Sequence, residues 1–463
     1  MQIRPAVAAG HPSTAVAGAD ILAAGGSAAD AAVAMILVGC AAETLFTGLG
    51  GGGFATHFDA ATGIVSCHDF FVDVPGREGA TPQAGVPITV SFVGQHVPYD
   101  VGPATVAVPG VPAGAFHLWQ RFGRLDWAQV VAPGLLASRG TPFPARHAQL
   151  LPAVASAMMI GDGAFVYRRP DDQALLQAGD RLWHPDHHRA YELLAQDPAA
   201  FYTGAYAAAA VEVASVGGML DATDLRSYAV REHAPRVVQT RYGSFAARGD
   251  DLDDVLGTLL RATADVTGEP TRDPAAARAL VAALRGPDRR AETSNVVAVD
   301  DRGDACVATT SLGLGSGVWV PGYGVHLNSM LGEGELVRAV LAPGERMGSM
   351  MSPLVGRDPD GALLVAAGAA GGSRIRPSLV QSLLRMLAGQ APQAAIEAPR
   401  LNALPGMVRC EPGFSAEVLE ALAVDGDDVV EASELAPYFG GVTAVGRLGS
   451  GADPRRGGAA ITL

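Results

Sequence analysis

Cysteine is scarce in this chain. Four cysteines occur among its 463 residues, far apart and without a CxxC pair; they are Cys40, Cys67, Cys306 and Cys410. This spacing excludes a dense disulfide framework or a zinc site of paired thiolates, since both need cysteines at short intervals. We expect the four side chains to be small buried apolar groups in a reducing compartment.

Long hydrophobic runs are also missing. The most apolar early stretch, residues 28–42, contains Asp30 and is rich in small side chains. A transmembrane helix needs about 20 predominantly apolar residues, so no membrane span or membrane partner is expected. The first residues carry one arginine but no apolar segment of the signal-peptide kind. We therefore expect a cytoplasmic protein.

Positive charge is in deficit. The chain has 33 Lys and Arg against 47 Asp and Glu, a formal net charge of -14. A nucleic-acid partner is excluded on electrostatic grounds, because binding to phosphates depends on clustered cations. With 49% hydrophobic and 17% charged residues, the chain is a globular protein with a large core rather than a disordered one.

Several common catalytic motifs are absent or fail on context. There is no GxSxG elbow and no P-loop lysine motif, which argues against an α/β-hydrolase or a nucleotide triphosphatase. Residues 48–53 (GLGGGG) formally match GxGxxG. A dinucleotide site needs a strand before this motif and a helix after it, whereas here a predicted helix precedes and a predicted strand follows. The dinucleotide interpretation is rejected.

Two clusters of potential metal ligands have simpler explanations. His184, His187 and His188 lack the HExxH spacing, and the Pro-Asp between them indicates a helix start. An acidic run, in which Asp250, Asp251, Asp253 and Asp254 lie, is typical of a solvated face. We predict no metal and no cofactor.

The order of predicted elements indicates an α+β protein built in layers. Two alanine-rich helices are separated at Gly25-Gly26, the first with Ser13 or Thr14 as its cap, and two strands and several helices follow. Residues 244–292 are charged and end in a polar stretch with adjacent arginines, which is typical of an exposed, cleavable connector. The chain then becomes strand-like, with a hairpin turn at residues 301–303.

Thr293 stands where this connector ends and the hairpin begins. A threonine at a new N-terminus carries a nucleophilic hydroxyl and a base, its own α-amine, in one residue. The α-amine has a reference pKa near 8, so a useful neutral fraction exists at neutral pH. Such chemistry requires that the bond between Glu292 and Thr293 be broken, and the threonine can break it by attacking the preceding carbonyl.

A second candidate is the turn Gly371-Gly372-Ser373, which follows an apolar run. Successive backbone N–H groups at a glycine turn can form an oxyanion-binding nest. Locally, the sequence favours a plain strand-to-helix connector with Ser373 as the helix cap.

Taken together, these segments resemble the γ-glutamyltranspeptidase family nearly end to end. The resemblance rests on the order of several motifs along the chain, which are ADILAAGGSAADAAVA, LGGGGF, HDFFVDVPG, AVPGVPAGAFHLWQRFG, HPDHHRAYELLAQDPAAFYTGAYA, ETSNVVAVDDRGDACVATTS, ERMGSMMSP, AAGAAGGSRI and EAPRLNALPGMV. The threonine with its hairpin and the GGSRI segment are the most specific.

The resemblance implies a four-layer αββα N-terminal-nucleophile hydrolase fold. It also implies self-cleavage into segments 1–292 and 293–463, which remain together as a heterodimer and act on a small-molecule substrate. Thr293 matches the family's nucleophile, and Ser311 matches a supporting hydroxyl. Gly371 and Gly372 match the oxyanion-hole glycines, and Ser349 matches the first of two serines that hold the substrate's carboxylate.

Several positions depart from the family's pattern. Phe71 stands where an arginine grips the α-carboxylate of the glutamyl group, and an aromatic ring cannot make that bidentate contact. Met350 replaces the second serine, and Gly313 replaces an asparagine. The acidic residue expected after LNSM is missing, since Leu331 or Gly332 falls there with Glu333 nearby. Arg374, beside the glycine pair, could supply a cation from another direction.

Three hypotheses follow for the function. The leading one is hydrolysis or transfer of an acyl group other than γ-glutamyl, such as an apolar or keto-acid-like group in an amide. The second is carbon–carbon bond hydrolysis in antibiotic biosynthesis or another specialised pathway, in making a proline-derived building block. The third is a catalytically inactive scaffold. Self-cleavage separates the first two from the third, because an inactive homologue has no need of it.

Overall fold

The computed structural model describes residues 3–92, 95–287, 293–334, 336 and 340–463. Helices in these ranges are α1 Pro12–Ala23, α2 Ala28–Ala42, α3 Val111–Phe122, α4 Trp127–Ala137, α5 Ala145–Met158, α6 Gly163–Val166, α7 His187–Gln196, α8 Ala200–Thr203, α9 Ala205–Ala214, α10 Ala222–Ser227, α11 Val255–Asp265, α12 Pro274–Leu284, α13 Ile375–Leu387, α14 Pro392–Glu397 and α15 Ala416–Val424.

Strands in the same ranges are β1 Ala6–Ala9, β2 Gly52–Phe58, β3 Val65–Phe70, β4 Val86–Phe92, β5 Gln95–Val101, β6 Thr141–Pro142, β7 Arg181–Leu182, β8 Arg231–His233, β9 Arg236–Thr240, β10 Gly243–Ala247, β11 Ser294–Val299, β12 Ala305–Ser311, β13 Trp319–Val320, β14 Val325–His326, β15 Leu354–Arg357, β16 Leu363–Ala370, β17 Leu401–Leu404, β18 Met407–Cys410, β19 Asp428–Glu431, β20 Gly441–Gly446, β21 Gly449–Ala452 and β22 Ala459–Thr462.

Two large sheets form the centre of the molecule. One has seven strands in the order β22-β1-β11-β12-β2-β3-β8, and the other has six in the order β21-β20-β16-β15-β10-β9. The sheets pack face to face, with β11 and β12 against β16. Helices α1 and α2 cover the outer face of the first sheet, and α11 and α13 cover that of the second. This is the predicted αββα arrangement.

Small side chains make the close packing of the outer helices possible. Every residue of α2 is buried, and a Cβ at Gly18 of α1 would lie 2.6 Å from the sulfur of Met35. The predicted break between these helices at Gly25-Gly26 is confirmed. The predicted cap is wrong: α1 begins one residue after His11, whose ring accepts the N–H of Ser13.

The part of the chain before residue 293 and the part after it each contribute strands to both sheets. In the first sheet β11 lies between β1 and β12, and in the second β15 pairs with β10. The core is therefore shared by residues before and after Thr293, so a cut at that point would leave two chains held by strand pairing and by the inter-sheet core.

The predicted connector, residues 244–292, is largely regular structure. It includes β10, a strand of the six-stranded sheet, and the helices α11 and α12, which bury Leu256, Leu259, Leu280 and Leu284. The charged residues misled the prediction because they occupy the outer faces of amphipathic helices. The polar end of the segment, residues 288–292, contains the adjacent arginines and Glu292 and lies outside the described residues, so an exposed connector there stays a prediction.

Candidate functional site

Thr293 immediately precedes the central strand β11. The register of β11 on β12 pairs Ser294 with Thr310, which places Thr293 opposite Ser311. Thr293 is buried, and its Oγ1 accepts a hydrogen bond of 2.9 Å from the backbone N–H of Gly371. The structure therefore brings together a hydroxyl from the first sheet and a backbone donor from the second.

The strand that carries Thr293 is anchored by polar side chains. Ser294 donates a hydrogen bond of 2.7 Å to the buried carboxylate of Glu43, which also accepts one from Thr14. Asn295 bonds to Thr443 and Thr309, which lie in the two facing sheets. These buried, fully partnered groups fix the start of β11 in position.

The turn at Gly371 and Gly372 explains why glycines stand there. Both residues have positive φ, 123° at Gly371 and 60° at Gly372, a backbone region that disfavours side chains. The turn joins β16 to α13, as a plain connector would, and the N–H of Gly371 also donates to Thr293. Helix α13 begins at Ile375 with Arg374 as its N-cap, so the predicted cap at Ser373 is wrong.

A cavity of about 230 Å³ opens beside Thr293. Its lining includes most of the residues that the sequence pointed to, together with further apolar side chains. The lining consists of Phe71, Thr293, Ser311, Met330, Glu333, Leu336, Ser349, Met350, Met351, Gly372 and Ile375. Ser311 and Gly372 thus flank the candidate nucleophile, and the rest of the wall is predominantly apolar.

Phe71 belongs to an aromatic wall of this cavity. Its ring stacks on Phe54 with centroids 5.2 Å apart, and the guanidinium of Arg248 lies 3.7 Å from the Phe54 centroid on that ring. Arg248 is buried and bonded to Asp250 and to the carbonyls of Ser349 and Met351. The Arg248 guanidinium is therefore engaged by these partners and helps to hold the aromatic wall in position.

The arginine nearest in sequence to the two serine positions is engaged as well. Arg346 forms ion pairs of 3.0 Å with Asp69 and 2.8 Å with Asp73, and it donates to the carbonyl of Phe71. Arg374 is buried with its guanidinium 5.7 Å from the ring centroid of Tyr438, and it is not among the residues that line the cavity. No arginine belongs to the described lining of this cavity.

Glu333 supplies the cavity with a carboxylate. It is 2% exposed and lies against Gly313: a Cβ there would be 2.5 Å from Oε1 of Glu333 and 2.7 Å from Oγ of Ser329. Gly313 also has a φ of 66°. The sequence alone did not place an acidic group here, because Glu333 lies one or two residues after the position that the family's pattern expects.

Ser349 and Met350 both lie on the cavity wall, as their positions in the sequence predicted. Ser349 accepts the N–H of Met351 at 3.2 Å, which shapes the local turn. Met350 is 2% exposed and presents a thioether where a hydroxyl would offer a hydrogen bond.

A second cavity of about 300 Å³ lies on the other side of Thr293. Glu43, Phe46, Asp453 and Arg456 are among its lining residues. The sequence analysis did not identify these residues, which come from the segment just after α2 and from the C-terminal region. Their convergence depends on the pairing of β11 with β1 and on the packing of β20 over it, neither of which local patterns reveal.

Other candidates from the sequence do not form a reactive centre. His184 bonds to Asp162 at 3.1 Å and accepts the N–H of Asp186, the N-cap of α7, so a helix start is confirmed there. All four cysteines are free and buried, and burial raises the pKa of the Cys40 thiol to about 12. Cys40 lines a cavity of about 480 Å³ as an unreactive thiol.

A protein-family model described as Gamma-glutamyltranspeptidase matches residues 14–248 and 262–463. The chain belongs to the γ-glutamyltranspeptidase family. Its members and structural neighbours are N-terminal-nucleophile hydrolases, so the chain is a hydrolase of this superfamily. Within the ranges that the structure describes, no helix is both long and apolar enough to cross a bilayer.

Two curated relatives span most of the chain. "Acylase ACY 1 proenzyme" from a Pseudomonas species is 28% identical over 96% of this chain and 89% of its own length. "Glutathione hydrolase proenzyme" from Bacillus subtilis is 24% identical over 90% of this chain and 84% of its own. Both are named as proenzymes.

Among solved structures, the fold matches that of a cephalosporin acylase from Bacillus halodurans. The TM-score is 0.80, with 20% identity over 100% of this chain and 96% of that chain. This similarity establishes the shared fold.

Proposed function

We propose that this γ-glutamyltranspeptidase relative is a self-processing amide hydrolase or acyltransferase with Thr293 as its nucleophile. The observation that carries the proposal is the position of Thr293, whose Oγ1 meets the Gly371 N–H at the wall of an apolar cavity. Ser311 and Gly372 lie in the same wall.

Processing begins with attack of Thr293 Oγ1 on the carbonyl carbon of residue 292. The peptide nitrogen leaves as the free α-amine of Thr293, and residues 1–292 are held as an ester until water hydrolyses it. Because both segments supply strands to both sheets, the products stay together as a heterodimer of 1–292 and 293–463.

Turnover then uses the freed α-amine as the base. The amine takes the proton of Thr293 Oγ1, directly or through a water, as the oxygen attacks the acyl carbon of the substrate. The N–H groups of Gly371 and Gly372 stabilise the negative oxygen of the tetrahedral intermediate. The protonated amine then passes its proton to the leaving nitrogen, and water or another acceptor releases the acyl group.

The chemistry of the cavity favours an acyl group that is mostly apolar and carries no carboxylate. Phe71 and Met350 provide neither the cation nor the second hydroxyl that a glutamyl α-carboxylate needs, and burying a carboxylate without a cation costs several kcal/mol. Glu333 adds a negative charge, which repels an anionic acyl group and favours a hydrogen-bond donor such as an ammonium. Relatives named as acylases support amide cleavage beyond γ-glutamyl compounds.

The test combines processing with a substrate comparison. Purified protein should give two chains on a denaturing gel and by intact mass, the smaller one beginning at Thr293. It should then hydrolyse a phenylacetyl anilide faster than a γ-glutamyl anilide. A single unprocessed chain without activity would indicate an inactive scaffold, and efficient γ-glutamyl turnover would contradict the proposed acyl specificity. A cytoplasmic location stays a prediction.

A further inference from the structure

Three potential metal ligands converge at an edge of the seven-stranded sheet, in a group separate from both cavities at Thr293. His68 lies on β3, Glu232 lies directly across from it on the edge strand β8, and His117 extends from α3. One ligand atom from each side chain can be chosen so that all three lie within 4.8 Å of one another. Among the described residues, no other group of three or more His, Cys, Asp or Glu side chains meets this condition.

The hydrogen bonding of this group is incomplete without a cation. Nδ1 of His68 lies 3.1 Å from Nε2 of His117, and the same Nε2 lies 3.4 Å from Oε1 of Glu232. A proton on Nε2 of His117 can be donated to His68 or to Glu232, and only one of the two can receive it fully. If the two imidazole nitrogens and the carboxylate oxygen all present lone pairs, a cation placed among them satisfies all three.

Two of the three separations among these ligand atoms match those of a zinc coordination shell, and all three atoms lie within 4.8 Å of one another. Zinc bonds imidazole nitrogen and carboxylate oxygen at about 2.0–2.2 Å in tetrahedral geometry, which separates neighbouring ligand atoms by about 3.3 Å. The Nδ1–Nε2 and Nε2–Oε1 separations, 3.1 and 3.4 Å, bracket that value. Two imidazoles with one carboxylate form a ligand set that zinc uses in proteins, with water at the fourth position.

Outer partners already orient two of the three ligands. Nε2 of His68 is 2.8 Å from Oγ of Ser66, and a proton on that nitrogen leaves Nδ1 free to bind metal. Nη2 of Arg121 donates to Oε2 of Glu232 at 3.3 Å, which leaves Oε1 for the metal. Nε of Arg121 also lies 3.2 Å from Oε1, so this arginine must move away from Oε1 when a metal binds there. Its side chain is 54% exposed and has room to move.

We propose that His68, His117 and Glu232 form a zinc site that joins the edge strand β8 to β3 and α3. Its role is structural. The three-residue edge strand β8 has few ladder hydrogen bonds of its own, and a metal would fasten it to the buried sheet. This strand also carries Arg231, which forms an ion pair with Asp73, and Asp73 pairs with Arg346 as well. Because Arg346 contacts the aromatic wall of the cavity, a metal that holds β8 in place also stabilises that wall.

The experiment uses the purified full-length protein after treatment with a chelator and its removal. Zinc chloride is titrated by calorimetry, and cobalt chloride is used as a spectroscopic probe of coordination. We expect one zinc per protein, a rise in Tm on zinc addition, and visible absorption bands of tetrahedral cobalt. Turnover should change little, because none of the three ligands lines either cavity at Thr293.

Two variants and one matched control decide where the metal binds. His117→Ala and Glu232→Gln remove partly exposed ligands and should each weaken zinc binding at least about 10-fold. His188→Ala removes a histidine outside the site and should bind zinc as the parent does. Unchanged affinity in His117→Ala would overturn the proposal, since zinc would then sit elsewhere, and so would absence of binding by the parent protein with zinc in excess.

Discussion

The backbone N–H of Gly371 donates a hydrogen bond of 2.9 Å to Oγ1 of Thr293. The donor comes from the turn after β16 and the acceptor from the start of β11, so the contact joins the two sheets at the candidate site. A donor held this close to the hydroxyl is also close to the carbonyl that the hydroxyl would attack. The same turn can therefore serve both processing and turnover.

Replacing the proposed nucleophile should stop processing. Thr293→Ala has no hydroxyl to attack the preceding carbonyl, so it should remain one full-length chain by gel and intact mass. Thr293→Ser keeps the hydroxyl and should still be cut, at a lower rate. Cleavage of Thr293→Ala at the same bond would show that another group is the nucleophile.

A side chain at Gly372 should impair turnover without unfolding the protein. Its φ of 60° disfavours a β-branched residue, and the strain would disturb the turn whose Gly371 N–H donates to Thr293. Losing one oxyanion donor costs about 100- to 1,000-fold in rate, so Gly372→Val should show a loss of that size in kcat.

Gly361→Val provides the matched control for backbone strain. Gly361 also has a positive φ, 86°, but a Cβ there meets no atom within 4 Å. This variant should lose some stability and keep its turnover. Equal kcat in Gly372→Val and Gly361→Val would remove Gly372 from the mechanism.

Buried histidines should make the fold sensitive to acid. His147 is 1% exposed and touches Phe46 and Phe143, and burial first, then His11 and Arg456, lowers its pKa to about 3. Between its unfolded value of about 6.5 and 3, the unfolded chain binds a proton that the folded protein does not. The free energy of unfolding should therefore fall as pH drops through that window.

His147→Phe isolates this contribution. The replacement fits an aromatic environment and removes one proton from the difference between unfolded and folded states. The slope of unfolding free energy against pH should decrease by up to about 1.4 kcal/mol per pH unit between pH 6 and 4. Denaturant melts at several pH values measure it, and parallel curves for the two proteins would contradict the assignment.

Local sequence patterns predicted the helices and strands whose formation depends mainly on neighbouring residues. The hairpin of β11 and β12 consists of two runs rich in strand-forming residues with a turn at 301–303, and the alanine-rich helices break at adjacent glycines. The connector prediction was wrong for the part that forms β10, α11 and α12, because charge alone does not distinguish an exposed loop from the outer face of a helix. Burial of Leu256 and Leu280 depends on partners that lie far along the chain.

The site residues that belong to the ordered sequence motifs could be predicted. The residues whose positions depend on tertiary packing could not. Thr293, Ser311, Gly372, Ser349 and Met350 were all named from the sequence and line one cavity. Glu333 was seen only as a neighbour of the expected acidic position, since its place over Gly313 follows from the path of the loop. Arg374 was a reasonable candidate cation by sequence proximity, but the turn into α13 directs it to Tyr438.

The charge of Glu333 should decide which substrates the cavity prefers. A carboxylate that bonds an ammonium in a buried site contributes about 1.5–3 kcal/mol, equivalent to about 10- to 100-fold in efficiency. Glu333→Gln keeps the shape and removes the charge, so kcat/KM should fall by that factor for phenylalanyl anilide, which carries an α-amine. Phenylacetyl anilide, which has the same ring without the amine, should change little.

Glu420→Gln, on the exposed face of α15, is the control for a general loss of negative charge. It should leave both substrates unaffected, and all three proteins should be processed normally before the comparison. An equal fall for both anilides in Glu333→Gln would mean that this carboxylate supports the cavity structurally, through its packing over Gly313, rather than binding the substrate's amine. A fall confined to the amine-bearing anilide would place the ammonium of the substrate beside Glu333, on the side of the cavity that Gly313 leaves open.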